Sequence, residues 1–95
     1  MAALGRVVTF EGVSNERMDE LQREISSGEP PEGFPSAELI ALHDPEAETA
    51  VVIVVVDSEQ DYQAADAILS AMPAGDTPGR RTSVKKHNVA LRMKQ

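Results

Sequence analysis

Cysteine is absent from the 95-residue chain, which excludes disulfides and thiolate metal sites. Tryptophan is absent too, and the aromatics are reduced to Phe10, Phe34 and Tyr62. An RNA-binding sheet needs aromatics exposed on its central strands. Phe10 is the only aromatic on an expected strand and the net charge is −7, so nucleic acid is excluded as a partner. No apolar run is long enough to span a bilayer as a helix. Met1–Arg6 holds no apolar segment of signal-peptide length. No membrane partner is expected, and the expected location is the cytoplasm. The two histidines, His43 and His87, make no ligand cluster at zinc spacing, so neither a metal nor a cofactor is expected.

Acids are missing from one part of the chain. Residues 80–95 hold Arg80, Arg81, Lys85, Lys86, Arg92 and Lys94, whereas all sixteen acids precede them. The basic segment is expected to lie against acidic surface of its own fold. Ninety-five residues read as a single domain, 1–95. A domain this small buries only about 60–65% of its unfolded surface and gains from oligomerising.

What the chain does have is Ala50–Val56, six β-branched residues after one alanine. Such side chains are stiff at χ1 and suit a pleated strand. Successive side chains point to opposite sides, so this strand is apolar on both faces and both need cover.

The other elements follow in order. Gly5–Glu11 reads as a strand, with Val7 and Thr9 on one face and Val8 and Phe10 on the other. Ser14 is an expected N-cap, and Val13 with Met18 has hydrophobic-staple spacing. Met18, Leu21 and Ile25 form the apolar stripe of a helix that Gly28 and Pro30-Pro31 end. In the stiff loop Glu29–Pro35, Phe34 is expected to plug the core edge or the mouth of a pocket. Ser36–His43 reads as a second strand. Asp44-Pro45-Glu46-Ala47 suits a type I turn into the Ala50–Val56 strand. Ser58 opens a second helix, with Asp61 at capping-box-like spacing. Its stripe is Tyr62, Ala65, Ile68, Leu69 and Met72, and Pro73 and Gly75 stop it. Thr82–Met93 reads as a last strand, with lysines protecting an edge.

The order β-α-β-β-α-β is the ferredoxin-like arrangement, an α+β fold with a four-stranded antiparallel sheet and two helices on one face. Right-handed crossovers put the first and third strands at the centre. The other sheet face would then carry roughly eight apolar side chains, worth about 10–20 kcal/mol gross on burial. Such a patch reaches what a monomer tolerates. A face-to-face homodimer is the expected cover, with a pocket for a large apolar ligand as the alternative.

This order of elements, the apolar third strand and the passage Ala71-Met72-Pro73, Pro78-Gly79-Arg80-Arg81 and Val84 resemble the dimeric α/β-barrel superfamily. Its best-known branch is the antibiotic-biosynthesis-monooxygenase-like group. The resemblance covers nearly the whole chain and is one of pattern. It implies two sheets meeting as a barrel in a dimer. It also implies activities among cofactor-independent monooxygenases, haem-degrading enzymes, isomerases and stress-responsive proteins. The oxygenase branches commonly use a tryptophan with Asn, His or Arg. This chain has no Trp, and Asn15 and Asn88 match no catalytic position, so no catalytic residue is carried over.

The candidate residues each have a bland alternative. His87 shares strand parity with Val89 and Leu91 and could face inward beside Lys85 as a base; otherwise it is an edge histidine touching a partner chain. His43 could be a base or ligand; otherwise its ring bonds to the turn. Tyr62 could bond a phenolic or carbonyl ligand, or simply pack in the core with its hydroxyl at the rim. Arg80 and Arg81 could bind a carboxylate or phosphate, or pair with an acid such as Asp76. The expected function is a small dimeric α/β-barrel protein binding a small apolar or aromatic molecule, with cofactor-free monooxygenase- or isomerase-like activity as its enzymatic form. The alternative is a non-catalytic binding or structural dimerisation module. The residues do not choose between enzyme and non-enzyme.

Overall fold

The computed structural model describes residues 3–28, 33–71 and 78–93. Its elements are β1 (Leu4–Glu11), α1 (Asn15–Ser27), β2 (Glu38–Asp44), β3 (Thr49–Val56), α2 (Glu59–Ser70) and β4 (Arg80–Asn88). The strands form one antiparallel sheet in the order β2-β3-β1-β4. This is the α+β, ferredoxin-like arrangement, with the first and third strands at the centre.

The last strand ends at Asn88 rather than Met93. Asn88 pairs with Leu4, the first residue of β1, and the strand pairing ends there. Val89 donates its N–H to the Ala3 carbonyl at 2.9 Å, and Arg92 pairs with Glu38 of β2. The segment after β4 therefore bridges from one sheet edge to the other.

Alternation in β1 sets the two faces. Leu4, Arg6, Val8 and Phe10 are buried toward the helices. Register places Val54 opposite Arg6 and Val52 opposite Val8 on that same side. Two clusters form the core there. Leu4, Val54, Val56 and Tyr62 pack with Phe34 and Leu69. Val8, Phe10, Val13 and Ala50 pack with Met18 and Val52.

Local chemistry explains the joints. Ser14 caps α1 by accepting the Arg17 N–H, and Ser58 caps α2 by accepting the Asp61 N–H. Asp44 Oδ1 accepts from the N–H groups of Glu46 and Ala47, closing the β2–β3 hairpin. Gly79 is needed for close approach, since a Cβ there would stand 2.4 Å from the Glu11 carbonyl oxygen. The basic segment does meet acidic surface of its own fold: Arg80 pairs with Glu11, Lys86 with Glu59 and Arg92 with Glu38.

The opposite sheet face carries six apolar side chains rather than eight. They are Val7, Ile40, Leu42, Val51, Ile53 and Val55. Thr9 occupies the second β1 position, and β4 contributes only Ser83, Lys85 and His87. The apolar patch is therefore centred on β2 and β3, with a polar strip along β4.

Candidate ligand cavity

α1 is pinned at its N-terminal end. Val13 is fully buried, and its N–H donates to the Glu48 carbonyl at 2.7 Å. The His43 Nε2–H donates to the Val13 carbonyl at 2.9 Å. Met18 and Leu21 then pack inward, but Ile25, one turn further on, is 51% exposed. The helix thus stands off the sheet toward its C-terminal end.

Under it lies a cavity of about 120 Å³. Val8, Phe10, Val52 and Val54 form the floor, Leu39 and Ala41 the β2 side, and Leu21, Ile25 and Leu69 the helix side. The only polar side chains lining it, among the described residues, are Arg6 and Arg81.

Arg6 is 4% exposed, unusual for a cation unless it is paired. Its Nε donates to Asp66 Oδ1 at 2.9 Å, and its Nη2 to Ser70 Oγ at 3.3 Å. Among the described residues Nη1 has no partner. Arg81 sits opposite Phe10 on the helix side of β4. Its neighbour Arg80 is engaged by Glu11, whereas Arg81 makes no hydrogen bond or ion pair among the described residues. Asp66 offsets the charge of Arg6, so among the described residues the charge of Arg81 is the one on the lining without a counter-charge.

The residues singled out in the sequence do not converge. Of Arg80, Arg81 and Phe34, only Arg81 lines the cavity. Phe34 packs against the Leu4 and Tyr62 cluster at the core edge. Asp76, the suggested partner of the arginines, lies outside the described residues, as do Met72, Pro73 and Gly75. Tyr62 is 8% exposed in the core, with the Lys86 ammonium 5.0 Å from its ring centre. Burial, then the nearby Asp66, push its phenol pKa up, while Arg6 and Lys86 pull the other way. His43 is tied to the loop before α1 rather than to its own turn. It also borders a second, more open depression of about 160 Å³ with Leu42, Asp44 and Thr49. His87 is exposed, opposite Gly5 on the face away from the helices.

Arg6 was missed, yet its signal was present. Val8 and Phe10 fall on one face of the first strand, and period-2 alternation puts Arg6 on that same face. A cation on the apolar side of a central strand marks a buried charge in need of a partner.

The chain matches no protein-family model, no curated protein and no solved structure.

Proposed function

We propose that this protein binds a small apolar or aromatic molecule in the cavity beneath α1, and does so as a homodimer. The observation that carries the binding is the near-wholly apolar lining of a space left open by the raised end of a helix. A dry apolar cavity of about 150 Å³ is enough to hold benzene, so 120 Å³ suits a group of about one ring. Ile25 and Leu39, 51% and 45% exposed, leave the rim open to a larger substituent.

The dimer is supported by the six apolar side chains facing away from the helices, with Leu42 55% and Ile40 40% exposed. Leu91 and Met93 add exposed apolar surface from the segment that crosses the sheet end. Partial burial of twelve such side chains across a two-fold pair gains about 10–20 kcal/mol gross, against an association cost of about 4–15 kcal/mol. With the superfamily pattern, this supports a dimeric α/β barrel. Arginine stays protonated at neutral pH, so neither lining cation can serve as a general base. That favours a binding module over a cofactor-free oxygenase or isomerase.

Methyl NMR during a toluene titration tests the binding. Shifts are expected at Val8, Leu21, Val52, Val54 and Leu69. No shift, or shifts confined to Val7, Val51 and Ile53, would overturn it. Ultracentrifugation at micromolar loading tests the assembly, with a species of twice 10.2 kDa expected.

A further inference from the structure

We infer that the ligand of this cavity is a monocarboxylate with an apolar body of about one ring, drawn by the charge of Arg81, which has no partner among the described residues, and offered a donor at Nη1 of Arg6. This deepens the binding proposed above and rests on it.

Charge counting selects the class. Among the described residues Arg6 and Asp66 cancel, and Arg81 leaves one positive charge on an otherwise apolar lining. A neutral hydrocarbon would leave that charge unanswered. A dianionic phosphate ester would carry one negative charge too many. A single carboxylate balances the site. Guanidinium suits it as well, since its planar N–H fork matches carboxylate geometry.

Burial makes the pairing count. Arg6 is 4% exposed, its Nε and Nη2 are engaged, and, since no buried side-chain nitrogen among the described residues lacks a partner, Nη1 is the donor still accessible from the cavity. A desolvated cation with a spare donor gains more from a charged acceptor than a solvated one does. Arg81, on the exposed edge strand β4, draws the anion in. Arg80 beside it is held by Glu11 and does not compete for the ligand.

The test compares three probes on the full chain by methyl NMR: benzoate, its uncharged isostere benzamide, and toluene. Benzoate is expected to bind about five- to tenfold more tightly than benzamide at low salt, a difference of about 1–1.4 kcal/mol, and to lose much of that preference at 0.5 M salt. Arg81→Gln, at an exposed position, is expected to fold normally and to bring benzoate down to the affinity of benzamide. Arg81→Glu should weaken benzoate below benzamide. If benzamide and toluene bind as tightly as benzoate, or if Arg81→Gln weakens all three alike, the carboxylate inference fails while the apolar-ligand reading stands. If none of the three shifts the cavity methyls, both fail.

Discussion

Arg6→Met separates a cation kept for a ligand from one kept for stability. Removing one partner of a fully buried ion pair costs about 3–5 kcal/mol, because the other charge is left buried. Here the geometry is lopsided. The Arg6 side chain is 5% exposed and that of Asp66 42%. Asp66 can therefore recover water when Arg6 goes, which moves the loss from the pair toward the surface range of about 0.2–1 kcal/mol. The Ser70 hydrogen bond adds about 1 kcal/mol, and Ser70 is itself exposed and resolvated. Against these stands burial of a methionine side chain of similar length, about 1.5–3 kcal/mol. The expected net change lies within about 1 kcal/mol of zero. Urea unfolding should give a midpoint near that of the parent with an unchanged slope. The same variant should lose most of its preference for benzoate over benzamide. A destabilisation above about 3 kcal/mol, with that preference intact, would refute the reasoning and make Arg6–Asp66 a purely structural pair.

Three further outcomes follow from the same structure. Ile53→Lys puts a charge at the centre of the apolar sheet face and should abolish the proposed dimer, leaving a species of 10.2 kDa with unchanged toluene binding. Tyr62→Phe should flatten the alkaline loss of stability. The raised phenol pKa contributes stability that is complete below pH 10.0 and fades as pH climbs through the folded value, so the parent's urea midpoint should drop more steeply above pH 10 than the variant's. Gly79→Ala drives a Cβ to 2.4 Å from the Glu11 carbonyl oxygen and should cost about 1–3 kcal/mol in a thermal melt through the shift it forces at the β1–β4 pairing.

The fold was legible because several signals pointed the same way. The β-branched run gave the central strand, Ser14 and Ser58 gave the helix starts, and Asp44-Pro45 gave the hairpin. Face assignments in β1 and β2 followed from period-2 alternation, and the register agrees with them. The end of β4 did not follow, because apolar residues continue to Met93 while the strand they would pair with begins at Leu4. The cavity was hidden for a different reason. It depends on how far α1 stands from the sheet, which its stripe of Met18, Leu21 and Ile25 does not encode. Histidine and tyrosine drew attention as the groups that titrate or hydrogen-bond, yet two of these three are spent on structure. His43 holds the loop before α1, and Tyr62 fills the core.

Ala41 shows how little would be needed to close the cavity, and why its openness supports a ligand. It sits on the helix side of β2, level with Val52 of β3, in a cross-strand row otherwise built of valine. A leucine there would add three carbons to the space under Leu21, at about 0.8 kcal/mol for each one buried. Left unfilled, the space keeps apolar side chains such as Leu39, 45% exposed, in contact with water, beside a buried arginine that itself costs desolvation. These two features lie on the same lining, and Arg6 also joins β1 to α2 through Asp66 and Ser70. A ligand that fills the void and answers the charge offsets both costs at once. Ala41→Leu is thus expected to raise the melting temperature of the free protein and to abolish the toluene and benzoate shifts together. A variant no more stable than its parent that still binds both probes would show that this space is not where they bind.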